Sequence, residues 1–95
     1  MKKLKNGWVE GSVQEFLGLS DAEVAYIEAK RGWAAKLRAW RKGKRLTQGQ
    51  VAARLATSQP RVAMMEKGDP SVSLDLLARS LLALGATRRD LARAL

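Results

Sequence analysis

The sequence predicts an all-α domain of five or six short helices with a helix-turn-helix at its centre. Helix-start signals recur along the chain, and each precedes apolar residues at helical spacing. Two short helices, at residues 47–55 and 58–67, are separated by only Ala56 and Thr57, and so tight a joint forces a large crossing angle between them. Positive charge is concentrated around this joint.

Two capping boxes open the helices of the first half of the chain. In each box a serine and a glutamate three residues later cap each other's backbone, and the pairs are Ser12 with Glu15 and Ser20 with Glu23. The first box predicts a short turn. The second predicts a helix that runs on through Trp40, with a break or bend at Gly32, because glycine inside a helix costs about 1 kcal/mol relative to alanine.

Four further start signals divide the second half of the chain. They are Thr47 with Gln50, Ser58 with Pro60 in its first turn, Ser73 and Thr87. Helical spacing predicts a core that comprises Leu37, Val51, Leu55, Val62, Met65, Leu77 and Leu81. We expect the last helix to turn Leu91 and Leu95 inward. Asp75 and Arg79 are spaced to pair across one helical turn.

Composition excludes several classes of function. The chain of 95 residues has no cysteine and no histidine, so disulfides, thiolate metal sites and the commonest general base are missing. No glycine-rich phosphate loop is present either, and we expect neither enzymatic activity nor a cofactor or metal. The apolar runs are too short to span a bilayer. We therefore expect no membrane partner and a cytoplasmic, nucleoid-associated protein.

Charge is distributed unevenly along the chain. Eighteen Lys and Arg face nine Asp and Glu, for a formal net charge of +9. The charges of residues 1–32 cancel, and residues 69–95 carry a net charge of +1. Residues 33–68 carry a net charge of +8, because Glu66 is the one acid among nine bases there. Such a concentration favours a polyanionic partner, with a merely solvated basic surface as the alternative.

The second helix of the motif presents two different faces. Val62 and Met65 point inward, where they can pack on Val51 and Leu55. The outward residues are Pro60, Ala63, Met64, which we expect to be exposed, and Lys67, with Gln59 and Arg61 on the flanks. A helix of this width fits the major groove, with its N-terminal residues nearest the base edges.

An ordered series of residues in this region resembles the Xre/Cro class of helix-turn-helix domains, which includes the lambdoid phage repressors. The series is Leu46-Thr47-Gln48, Val51-Ala52, Leu55, Thr57-Ser58-Gln59, Val62 and Met65-Glu66-Lys67-Gly68. The resemblance covers residues 34–95 and implies a lambda-repressor-like fold. Within that class, residues 13–20 and 68–75 are most similar to HigA-type antitoxins.

The resemblance also implies site residues. Gln59, Pro60 and Met64 match base-reading positions of the class, and Arg61 between them is placed to reach a guanine edge or a phosphate. Those expected at the DNA backbone are Thr47, Gln48, Ser58, Lys44, Arg45, Lys67 and Ser73. Gln48 is implied to contact a phosphate and to brace the recognition helix, and Ser73 begins a helix whose free N–H groups can receive a phosphate oxygen.

The chain departs from the class pattern at four places. Ala56 and Arg45 stand where glycine is usual, Gly49 lies inside the first motif helix, and Pro60 with Met64 occupies two base-reading positions. Gly43 is an alternative stop for the helix before Arg45. Since Pro60 and Met64 donate no hydrogen bond, specificity is expected to rest on Gln59, Arg61, thymine-methyl contact and DNA shape.

Some conspicuous residues have structural interpretations. Glu66 is predicted to pair with an arginine of the first long helix, such as Arg41, and Trp33 and Trp40 to act as packing anchors. The basic run Lys36, Arg38, Arg41, Lys42, Lys44 and Arg45 either contacts phosphates or forms a solvated helix face.

Three regions are predicted: a flexible N-terminus at 1–11, a helical segment at 12–32 for partner or dimer contact, and a DNA-binding domain at 33–95. The N-terminal third holds Trp8, Val13, Phe16, Leu17, Tyr26 and Ile27, more apolar surface than so small a domain can bury. The expected function is repression through double-stranded operator DNA, bound by a homodimer. The resemblance adds the antitoxin role of a type II pair with a RelE/HigB-type ribonuclease toxin. The alternative is a stand-alone or prophage Cro-like regulator without a toxin.

Overall fold

The computed structural model describes residues 18–95, and these residues form five α-helices without a strand. The helices are α1 (Asp21–Gly43), α2 (Gln48–Leu55), α3 (Gln59–Lys67), α4 (Leu74–Ala83) and α5 (Arg88–Arg93). The prediction of an all-α fold is confirmed for this part of the chain. The flexible 1–11 region, the Ser12–Glu15 box and the apolar residues Trp8, Val13, Phe16 and Leu17 lie outside the described residues.

Each helix begins directly after a side chain that caps it. The caps are Ser20, Thr47, Ser58, Ser73 and Thr87, and each accepts a hydrogen bond from the backbone N–H three residues on. The boxes predicted at Ser20 and Thr47 are complete in both directions, and Thr87 forms a third box with Asp90. A serine or threonine cap stabilises a helix by about 1 kcal/mol, so these residues fix the helix boundaries.

Helix α1 runs unbroken through Gly32, so the helix does not break there as the sequence had suggested. The reason for the glycine is a close approach: a Cβ at position 32 would overlap the carbonyl oxygen of Ala94, just beyond α5. The neighbouring Trp33 anchors the same contact, because its indole N–H donates to the Leu91 carbonyl oxygen at 2.9 Å. Trp40 likewise donates to the Leu84 oxygen at 3.2 Å, so both tryptophans are packing anchors as predicted.

The core lies where α1, α2, α3 and α4 meet. It comprises Ala34, Leu37, Val51, Ala52, Val62, Met65, Val72, Leu77, Leu81 and Ala86. Six of the seven predicted core residues are buried, while Leu55 is only partly buried at the rim. Leu91 packs against the core as expected, but Leu95 is 68% exposed. The prediction fails at Leu95 because α5 ends at Arg93, so helical spacing no longer directs that side chain.

The N-terminal half of α1 lies outside this core. The buried side chains of α1 begin at Lys30, and Tyr26 and Ile27 remain 45% and 41% exposed. The boundary expected between residues 32 and 33 therefore falls inside one continuous helix. Among residues 18–95, no helix is long and apolar enough to cross a membrane.

Candidate nucleic-acid interface

The turn between α2 and α3 is built on a left-handed alanine. Ala56 has φ 56° and ψ 46°, a conformation that favours glycine. The turn is closed by backbone bonds from Ala56 N to Ala53 O at 3.3 Å and from Thr57 N to Ala52 O at 2.9 Å. Three residues separate α2 from α3, and the two helices pack directly on each other, with Val51 and Val62 both in the core.

A second left-handed residue precedes the motif. Arg45 has φ 57°, whereas Gly43 is simply the last residue of α1 and does not adopt a positive φ. Helix α1 therefore ends at Gly43, as the alternative stop predicted, and the left-handed residue of the connection to α2 is Arg45. A hydrogen bond from Arg41 Nη1 to the Leu46 carbonyl at 3.0 Å holds this connection to α1.

A chain of four side chains links the core to the exposed start of α3. Arg41 donates to both oxygens of Glu66, at 2.6 and 3.0 Å, and confirms the predicted pair. Gln48 Nε2 donates to Glu66 Oε1 at 3.1 Å, and Gln59 Nε2 donates to Gln48 Oε1 at 2.6 Å. We call Arg41, Glu66, Gln48 and Gln59 the polar relay.

The carboxylate in the polar relay stays ionised. Burial, which leaves only 4% of the Glu66 side chain exposed, would raise its pKa. The hydrogen bonds from Arg41 and Gln48 and the charges of Arg41 and Arg38 outweigh burial and hold the pKa of Glu66 below its usual range. The same contact raises the pKa of Arg41. An ionised Glu66 accepts only, so it dictates which end of the Gln48 amide faces it.

Helix α3, the second helix of the motif and the predicted recognition helix, exposes its N-terminal end. Gln59, Pro60 and Arg61 are exposed, as their predicted role requires. Met64 is half-buried against the core, whereas the sequence analysis expected it to be exposed. On its outer side, Ser71 Oγ from the turn after α3 lies 3.8 Å from the Met64 sulfur.

The residues expected at the DNA backbone lie mostly at helix starts. Thr47, Ser58 and Ser73 are exposed N-caps, Lys44, Arg45 and Lys67 are exposed bases, and Gln48 is partly buried in the polar relay. One arrangement was not predicted: Lys36 Nζ and Lys44 Nζ lie 5.6 and 5.1 Å from the centre of the Trp40 ring. The sequence could have indicated this contact, because residues 36, 40 and 44 are four apart and such residues share a helix face.

These features together define a helix-turn-helix, the class of fold whose second helix enters the major groove of DNA. The sequence pattern of the family described as a helix-turn-helix domain matches residues 16–88, which is most of the chain. The chain belongs to that family. No curated protein and no solved structure matches it.

Proposed function

We propose that the protein binds double-stranded operator DNA sequence-specifically and represses transcription, as a homodimer with the lambda-repressor-like arrangement of the Xre/Cro class. The observation that carries the proposal is the polar relay, which fixes an amide at the exposed start of α3. Membership of the helix-turn-helix domain family and the +8 charge of residues 33–68 support it. The protein acts without catalysis and without a cofactor, on the nucleoid in the cytoplasm.

The polar relay orients the Gln59 amide so that it suits one type of base. Glu66 accepts the Gln48 amide N–H, so Gln48 Oε1 faces Gln59 and receives one of its N–H groups. Gln59 keeps its second N–H and its own oxygen, one donor and one acceptor. This pair is complementary to N7 and N6 of adenine in the major groove. We therefore propose that Gln59 reads an A·T base pair.

The other site residues divide into reading and positioning groups. Arg61 donates to a guanine edge or a phosphate, and Pro60 with the half-buried Met64 offers apolar contact to a thymine methyl. Thr47, Gln48, Ser58, Lys44, Arg45, Lys67 and Ser73 contact the sugar-phosphate backbone and set the register of the helix. Shape readout supplements the few base-edge donors.

Selection of binding sites from random duplexes tests this assignment. The wild type is expected to enrich one sequence, and Gln59→Ala to relax the preference at one base pair by about 1–3 kcal/mol. Gln48→Ala, which removes the brace and a phosphate contact, should weaken binding to all sequences. Arg79→Ala, on the exposed face of α4, is the control. An unchanged preference in Gln59→Ala would refute the assigned reading face, and no enrichment by the wild type would refute sequence-specific binding.

A second function, that of a HigA-type antitoxin, is favoured by one further observation. Tyr26 and Ile27 form exposed apolar surface on the N-terminal half of α1, away from the motif. We propose that segment 12–32 makes the partner or dimer contact, and that the partner is a RelE/HigB-type ribonuclease. The alternative is a Cro-like regulator without a toxin. If the adjacent gene encodes a ribonuclease, RNA cleavage by its product with and without this protein decides between them.

A further inference from the structure

A basic groove lies between the outer face of α1 and the end of α3, outside the site residues proposed above apart from Lys67. Arg31, Arg38 and Lys42 line it from α1, and Lys67 lines it from α3. Positions 31, 35, 38 and 42 recur at three- and four-residue intervals, so they form one straight stripe on a helix. Eleven residues separate the first and last of these, about 16 Å along the axis. We call Arg31, Arg38, Lys42 and Lys67 the α1 stripe.

Within residues 18–95 no side chain of the α1 stripe forms an ion pair, although the charges of Arg38 and Lys67 act on Glu66 and Asp69. Glu66 is the one carboxylate among the described residues that line the groove, and it is committed to Arg41 at 2.6 Å and to Gln48. Its side chain is only 4% exposed, so it offers nothing to a ligand in the groove. All four basic side chains are exposed. Four cations therefore line a groove in which the one acid of the described lining is already bound.

The floor of the groove allows close approach. It is formed by Ala34, Ala35 and Ala39, whose methyl groups leave the helix surface low between the basic side chains. An extended strand of phosphates can thus lie along α1 with cations on both sides. Guanidinium groups suit such a ligand because they bind phosphate oxygens in a bidentate manner.

The groove is placed at the edge of the recognition helix. Helix α3 has nine residues and is therefore about 13 Å long, while the major groove is about 12 Å wide. With Gln59 and Arg61 at the base edges, the end of α3 at Lys67 reaches the level of the sugar-phosphate strand. Lys67 is shared by α3 and the groove, so the stripe continues from that point along α1.

We infer that the α1 stripe binds the DNA phosphate backbone next to the operator site read by α3, with Arg31, Arg38 and Lys42 extending the footprint. The inference rests on the proposed function. The α1 stripe adds a sequence-independent contact, which strengthens DNA binding without changing the preferred sequence. An acidic segment of a partner protein is the competing occupant of the groove.

The test compares two triple variants with the same loss of charge. Arg31→Gln, Arg38→Gln and Lys42→Gln together neutralise the stripe. Arg88→Gln, Arg89→Gln and Arg93→Gln neutralise three exposed arginines of α5, which packs on a different side of α1, at Gly32 and Trp33. Equal thermal unfolding of the two variants and the wild type checks folding. The affinity for the selected operator is then measured over a series of salt concentrations.

The stripe variant is expected to lower the slope of log K against log salt by about 2–3, since each lost phosphate contact removes about 0.9. The α5 variant should keep the wild-type slope, and the stripe variant should still select the wild-type sequence. A wild-type slope in the stripe variant would overturn the inference and favour an acidic protein in the groove. An equal loss in both variants would also overturn it, because it would reflect net charge and not a local contact. Failure of the wild type to bind any duplex would instead refute the proposed function.

Discussion

Glu66 connects folding to recognition at the scale of single residues. Its two oxygens accept three hydrogen bonds, two from Arg41 and one from Gln48. Removing one partner of a buried ion pair leaves the other uncompensated, which costs more than the pair contributes. The orientation of Gln48, and through it that of Gln59, depends on the same carboxylate.

Replacing Glu66 with glutamine is expected to lower the free energy of unfolding at neutral pH by about 3 kcal/mol, because Arg41 loses its counter-charge. The loss should shrink in acid. The folded pKa of Glu66 lies below its unfolded value of about 4.3, so its stabilisation is present above that pH and disappears as pH falls through the folded pKa. Urea unfolding of both chains between pH 3 and pH 7, on the order of ten points, measures the difference.

Glu28→Gln is the matched control, because Glu28 is exposed on α1. It should change the free energy of unfolding by less than about 0.5 kcal/mol at every pH. A constant difference between wild type and Glu66→Gln down to pH 3 would contradict the role given to ionised Glu66.

The sequence predicted part of this arrangement. Glu66 is the one acid among nine bases in residues 33–68, and the sequence predicted that it pairs with an arginine of α1 such as Arg41. The resemblance implied that Gln48 braces the recognition helix, and Gln48 bonds to Glu66 and Gln59 of α3. Which side chains it meets there required the structure, because that depends on how α2 and α3 pack. The half-burial of Met64 was missed for a similar reason, since it depends on how closely α3 packs against the core.

At the scale of elements, the turn between α2 and α3 holds local strain. The left-handed conformation costs a residue with a Cβ roughly 1–2 kcal/mol. The sequence marked Ala56 and Arg45 as positions where glycine is usual, and both adopt a positive φ. The resemblance thus located the two reversals correctly, although neither residue has an intrinsic preference for them.

Ala56→Gly is expected to raise the free energy of unfolding by about 1 kcal/mol, because glycine relieves the strain at φ 56°. Ala53→Gly, the same substitution at an exposed position inside α2, should lower it by about 1 kcal/mol. Thermal and urea unfolding should give changes in the free energy of unfolding that have opposite signs in the two variants. A loss of stability in both would show that Ala56 rests in its turn without strain.

At the scale of the whole molecule, packing overrides helix propensity at Gly32. Propensity alone marked this glycine as a weak point, yet α1 crosses it unbroken because the backbone at Ala94 occupies the space of its missing side chain. Such a contact joins residues 62 positions apart, and no local pattern reports it. Capping signals fixed the helix boundaries well, whereas contacts between distant segments required the structure.

Gly32→Ala is therefore expected to destabilise the full chain by about 1–3 kcal/mol, since a Cβ there overlaps the Ala94 oxygen. In a chain stopped at Arg93 the same substitution should stabilise by about 0.5–1 kcal/mol, because only the gain in helix propensity remains. Gly49→Ala, where the nearest atom to a new Cβ is 3.8 Å away, should stabilise both chains. Urea unfolding measures whether the effect of Gly32→Ala on stability changes sign between the full and the shortened chain. The same sign in both would contradict the close approach of α1 and the C-terminal turn.

An exposed apolar pair on α1 bears on assembly. Tyr26 and Ile27 lie on α1 before its buried stretch, so polar replacements there remove apolar surface without opening the core. We expect the wild type to sediment as a dimer and the double variant Tyr26→Ser, Ile27→Ser to sediment as a folded monomer. A monomer occupies one half-site instead of two about 34 Å apart, so its operator affinity should fall far more than that of any single reading variant.

Leu82→Ser is the matched control, because Leu82 is equally exposed, at 45%, but lies on α4. It should keep the wild-type mass and operator affinity. If the double variant stays dimeric with unchanged operator affinity but no longer inhibits a partner ribonuclease, the N-terminal half of α1 serves the toxin and the dimer forms elsewhere. If mass, affinity and inhibition are all unchanged, the exposed pair belongs to neither interface, and the assignment of this segment as a partner surface is wrong.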